Sequence, residues 1–134
     1  MITVDEYIGQ HLAGHEQELT DEIRANAEIL CGRANQLIAE FGEDRGLRSG
    51  WRPATINKSA GGATRSKHML GQAVDIEDKD GRLDEFCKQN IGLLEQLELW
   101  LEAPKYTESW AHIQCVPPRS GPTARAPGEA GTPS

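Results

Sequence analysis

Long apolar runs are missing from this 134-residue chain. Nothing in it approaches the roughly 18 consecutive apolar residues of a membrane-spanning helix, so insertion into a membrane is not expected. The opening MITVDEYIGQ is acidic and has no basic stretch ahead of an apolar one, so no secretory signal is visible. If the protein acts outside the cytoplasm, another device is expected to take it there. Cysteine is scarce. Cys31, Cys87 and Cys115 are an odd set without a CxxC, which speaks against a disulfide framework and against a thiolate zinc site. Free, mostly buried thiols are expected, with a Cys87–Cys115 bridge as the lesser alternative. A basic excess is also missing, since the net charge is −7. Residues 1–45 hold ten acids against three arginines, while the other eleven acids are matched by eleven Lys and Arg. The surplus is therefore a solvated N-terminal helical surface, and nucleic acid is not expected as the main ligand, because phosphate binding needs a basic face. No internal repeat is visible.

What is present describes one globular domain. Hydrophobic residues make up 37% and charged residues 26% of the chain, and the mean hydropathy is −0.57. The length suits one core and is short for two. Residues 2–14 could form a short helix weakened by Gly9 and Gly14. Residues 20–42 carry Leu19, Ile23, Ala27, Leu30, Ala34, Leu37 and Phe41 at steps of three or four, which is one helical stripe. Thr20 can cap its start and Gly42 can end it. A strand is expected from Leu47 to Arg52, stopped by Pro53, and a long Gly/Ser/Ala/Thr-rich loop follows it. AVDIED reads as a strand with DKDG as its turn. One or two helices are expected over 83–102 and a last strand from about Ser109 to Val116. PPRSGPTARAPGEAGTPS holds five of the seven prolines and no large apolar residue, so 117–134 is expected to be a disordered tail behind a folded unit of 1–116.

The chemistry sits on the two strands. Alternate side chains of a strand share a face. In AVDIE, Val74 and Ile76 suit a core, while Ala73, Asp75 and Glu77 take the other side. In SWAHIQCV, Ala111, Ile113 and Cys115 form the core set, and Trp110, His112 and Gln114 oppose it. If the strands are neighbours, Asp75 and His112 converge, and His68 at the end of the preceding loop can close a third corner. Two imidazoles and a carboxylate with a position left for water make a catalytic-type zinc site. Gly71 allows a tight turn between His68 and the strand, and Ser66 could hydrogen-bond near the site.

SKHMLGQAVD resembles the S-x-H-x-x-G-x-A-x-D signature of the zinc D-alanyl-D-alanine carboxypeptidase family, SWAHI its W-x-H, and SGWRPATINKSAGG its S-G-[YW]-R-x-x-x-x-N segment. That group takes in vancomycin-resistance dipeptidases, phage endolysin peptidases and the Hedgehog signalling domain. The resemblance covers about residues 47–116. It implies an α+β fold, with a small antiparallel sheet carrying the zinc and helices packed on one side. It implies His68, Asp75 and His112 as ligands of Zn2+, and Arg52 as the residue that meets a substrate carboxylate or positions the scissile carbonyl. Ser66 and Trp110 join Arg52 as expected substrate contacts. Relatives carry an acid three residues before the last histidine, where this chain has Ser109. YTESWAHIQC also resembles Hedgehog's Y-x-E-S-x-A-H-I-x-C, which places Glu108 as general base; Hedgehog's metal-binding histidine falls where this chain has Gln114. Glu77 and Asp78 are alternative bases.

The expected function is hydrolysis of a peptide bond in bacterial peptidoglycan by a monomeric zinc peptidase. The analogy points to a phage or prophage lysin, released through a holin or carried on the virion. D-Ala-D-Ala, D-Ala-diaminopimelate and L-Ala-D-Glu bonds stay open as substrates. A zinc-stabilised binding domain without hydrolysis is the alternative. A non-haem iron oxygenase fits less well, because those enzymes usually set their first two ligands as H-x-D/E, whereas His68 and Asp75 are spaced H-x6-D.

Overall fold

The computed structural model describes residues 1–59, 66–102 and 109–117. Their order is α1 (Val4–Gly9), a 3-10 turn (Glu16–Glu18), α2 (Asp21–Phe41), β1 (Leu47–Ser49), α3 (Ala54–Ser59), a 3-10 turn (Lys67–Leu70), β2 (Ala73–Glu77), α4 (Arg82–Gln89), α5 (Ile91–Leu97), β3 (Trp100–Leu101) and β4 (Trp110–Gln114). Glu108 and all of the expected tail at 117–134 except Pro117 lie outside the described residues.

Local chemistry accounts for the helix ends. Thr3 and Glu6 form a reciprocal capping box at α1, each bond 3.0 Å. The Thr20 hydroxyl accepts from the Ile23 N–H at 3.1 Å, and Gly42, in the left-handed region, ends α2 with its N–H on the Ile38 carbonyl. The apolar stripe of α2 buries Ala27, Leu30, Ala34 and Leu37 completely.

Four antiparallel strands run in the order β1-β2-β4-β3. Val74, Ile76, Leu101, Ala111 and Ile113 point to the side where α2, Leu83, Leu94 and Tyr7 complete the core. Each of the larger side chains contributes about 1.5–3 kcal/mol on burial. The fold is thus α+β, with the sheet's opposite face left for other work.

Several boundaries differ from the sequence expectation. The first helix stops at Gly9, and β1 stops at Ser49 because Trp51 is drawn into the core, 1% exposed, with its N–H on the Tyr7 carbonyl. Residues 54–59 form α3 rather than loop, with the Asn57 N–H on the Pro53 carbonyl. The expected helix through 102 ends at Leu97. Glu98 takes a left-handed conformation, φ 55°, and the chain returns as β3 on the edge of β4. Cys31, Cys87 and Cys115 are free thiols. Burial raises the Cys31 thiol to about 12, so it stays protonated.

Candidate metal centre

Register decides what the open face carries. Asp75 pairs with His112 and Ser49 with Asp75. Leu101 pairs with Ile113 and the Glu102 N–H bonds the His112 carbonyl at 3.0 Å, so Glu102 follows on the edge. One row across the sheet therefore reads Ser49, Asp75, His112, Glu102. Directly opposed side chains on one face are neighbours.

His68 reaches this row from the 3-10 turn before β2. Ser66 caps that turn, its hydroxyl accepting from the His68 N–H at 3.2 Å, and Gly71 closes it at φ 75°. A Cβ at Gly71 would lie 2.6 Å from the Ile23 carbonyl oxygen of α2, so the turn packs directly on the long helix. Gly50 is just as confined, for a Cβ there would meet the Tyr7 carbonyl oxygen at 2.2 Å. Its own carbonyl accepts from His68 Nδ1–H at 2.9 Å. That bond fixes the ring so that Nε2 faces inward, 3.4 Å from Asp75 Oδ2.

His112 is held in the same manner. Its Nδ1–H donates to Asp75 Oδ1 at 2.8 Å and its Nε2–H to Gln114 Oε1 at 3.1 Å. Gln114 Nε2–H in turn donates to the Val116 carbonyl, which orients the amide with its oxygen towards His112. One ligand atom from each of His68, Asp75 and His112 lies within 4.8 Å of the others, and this trio could hold a metal ion. Each histidine keeps one ring nitrogen turned to Asp75 and the other on a protein acceptor, which is the arrangement that metal-binding imidazoles require.

Electrostatics follow from burial. Asp75 is 8% exposed. Burial alone would raise its pKa, but hydrogen bonds from His112 and His68 outweigh it and hold the carboxyl well below the usual range. Burial would lower His112, yet the bond to Asp75 wins and raises it. With both ring nitrogens facing acceptors, the metal-free ring is suited to an imidazolium. A bound dication would take the place of that positive charge, because proton and metal compete for one lone pair. The donor set, two imidazoles and a carboxylate, fits zinc.

The other candidate residues are distributed as follows. The Arg52 N–H bonds the His68 carbonyl at 3.1 Å, and its Nη1 donates to the buried Asn57 Oδ1 at 2.9 Å, so Arg52 stands beside the trio. Ser66 supports His68 through its cap. Trp110 is half-buried on the His112 side of β4, cross-strand from Glu77. Asp78 is not available as a base. Its two carboxylate oxygens accept the Leu83 and Asp84 N–H groups at 2.8 and 2.9 Å, which anchors the start of α4. Glu77 also lines a surface cleft with Arg45, Lys79 and Asp80, which contains none of the trio.

Glu102 is the residue that reading the sequence missed. Burial raises its pKa; the charges of His112 and His68 oppose this and that of Asp75 adds to it. Its place is set by the register, opposite His112 at the edge of the row. The signal was the alternation in LWLE, where Leu99 and Leu101 are buried and Trp100 and Glu102 are half-exposed, a strand period inside what read as a helix.

A family model described as Peptidase M15 matches residues 6–96, more than half of the chain. The match contains His68 and Asp75 and ends before β4. No curated protein and no solved structure matches the chain.

Proposed function

The chain belongs to the peptidase M15 family and is a metallopeptidase, and from that premise we propose that it uses zinc to hydrolyse a peptide bond in the stem peptide of bacterial peptidoglycan. One observation carries the reading. Two imidazoles and a carboxylate meet on the open face, each imidazole tied by its second nitrogen, to Gly50 and to Gln114.

His68 Nε2, Asp75 and His112 Nδ1 are the proposed ligands. When bound, zinc supplies a Lewis acid for the peptide carbonyl and lowers the pKa of water. Arg52 has N–H groups beyond the one given to Asn57, and an arginine edge binds a carboxylate bidentately. Ser66 and Trp110 are proposed to border the bound peptide. A carboxylate takes the proton of the attacking water and returns it to the leaving amine. Two candidates exist for it, Glu108 from the sequence motif and Glu102 from the strand register. A monomeric phage or prophage lysin acting at the cell wall is the setting that the sequence resemblance favours.

The test is turnover of purified murein by the zinc-loaded protein, with released muropeptides identified by mass spectrometry. One bond type should be cut, and chelation should stop it. Of Glu102→Gln and Glu108→Gln, the variant that loses about 10²- to 10⁴-fold in rate while keeping zinc marks the base. No turnover with the site fully loaded would favour the zinc-stabilised binding domain, a reading that Ser109 in the usual acid position supports.

A further inference from the structure

In a chain of net charge −7, an arginine without a carboxylate partner is informative. Arg33 meets Glu98 at 3.5 Å, Arg45 meets Asp80 at 3.2 Å and Arg82 meets Glu43 at 2.9 Å. Arg24, Arg48 and Arg52 have no such partner among the described residues, and of these Arg48 is exposed on the sheet, with Glu77 on the neighbouring strand. The Arg48 guanidinium instead lies over the Trp110 ring, 4.3 Å from the ring centroid.

The position follows from the sheet. The register of β1 shifts between Leu47 and Ser49, a bulge at Arg48. Trp110 is two residues before His112 on β4, and β2 lies between β1 and β4. Arg48 therefore reaches over β2, the strand that bears Asp75, to rest on the strand that bears His112. With its central carbon over the ring, the guanidinium keeps N–H donors for which no side-chain acceptor appears among the described residues. The ring also restrains a long side chain that would otherwise have to be ordered on binding. Arg52, four residues on, stands beside the same trio. The segment from Leu47 to Arg52 thus offers two guanidiniums, one steadied by Asn57 and one by Trp110.

We infer that Arg48, held on Trp110, is a second carboxylate-binding residue of the substrate groove, so that the preferred substrate is an acidic peptide with a carboxylate beyond the one that meets Arg52. This rests on the peptidase reading and narrows its substrate class. An arginine stem merely packed on an aromatic ring gives no such preference.

Binding, rather than turnover, tests it. Two synthetic stem-peptide fragments that differ only in one side-chain carboxylate, replaced in the second by a carboxamide, are titrated into the full chain with and without zinc. Dissociation constants are read from tryptophan fluorescence. The acidic fragment should bind about tenfold more tightly, the order expected for one charge-assisted hydrogen-bond pair. Arg48→Met, which keeps the stem, should bring the ratio to about one. Trp110→Leu should reduce it by freeing the guanidinium. An unchanged ratio in Arg48→Met, equal binding of both fragments by the parent chain, or binding of neither overturns the inference. If the ratio behaves as expected and murein is not cut, the subsite stands and the peptidase reading falls. Cut murein with no ratio gives the reverse.

Discussion

Asp84 occupies a position where ionisation is costly. It is 7% exposed, its Oδ1 has no hydrogen-bond partner among the described residues, and burial with the charge of Asp78 pushes its pKa to about 7. Lys88 opposes this rise and Glu102 adds to it. The folded pKa exceeds the unfolded value of about 3.9, so the folded state binds the proton more tightly. Its stabilising contribution is present below about pH 4 and is lost as pH rises to about 7. Asp84→Asn should match the parent in Tm at pH 4 and exceed it at pH 8. The gain is about 1.4 kcal/mol for each tenfold difference in proton affinity between the folded and unfolded states. A Tm difference that does not vary with pH would refute this. Gln114 offers a second single-residue test. Gln114→Leu removes the acceptor on His112 Nε2 and should weaken zinc retention about 10- to 100-fold in chelator competition, with the circular dichroism spectrum unchanged. Retention equal to the parent would mean that the amide does not orient the ring.

At the scale of elements, the turn that carries His68 is seated on α2 by the absence of a side chain. Gly71→Ala would place a Cβ 2.6 Å from the Ile23 carbonyl in a left-handed conformation. A stability loss of at least about 1–3 kcal/mol is expected in denaturant titration, together with weaker metal retention. Gly92 is the control. It lies inside α5, where an added Cβ meets nothing within 4 Å, and Gly92→Ala should be neutral or stabilise by up to about 1 kcal/mol. Equal losses in the two variants would show that the turn is not specifically confined. The edge strand β3 is only two residues long, yet it brings Glu102 to the ligand row.

For the whole molecule, the core and the ligand face lie on opposite sides of one sheet. The core is apolar and complete without the trio, since Leu30, Leu37, Ile76, Leu94, Leu101 and Ile113 are fully buried. Removing zinc should therefore lower Tm by the lost binding free energy, in proportion to RT ln(1 + [Zn]/Kd), and leave a cooperative folded protein. Calorimetry with and without chelator checks this. Loss of the cooperative transition on chelation would mean that the metal is needed for folding.

The sequence by itself determined what local periodicity and capping encode. The stripe of α2 with Thr20 and Gly42 at its ends, and the alternation that sets Asp75 and His112 opposite an aliphatic face, are short-range patterns written in consecutive residues. Tertiary structure decided what depends on partners distant in the chain. β3 exists because β4 offers it an edge, which overrides the helical reading beyond Leu97, where α5 ends, and puts Glu102 beside His112. Asp78 became an anchor for α4 because the chain turns back on it, and Arg48 found Trp110 across the intervening strand β2. A side chain's face can be read from its neighbours in sequence, whereas the groups it meets on that face are fixed only by strand register and packing.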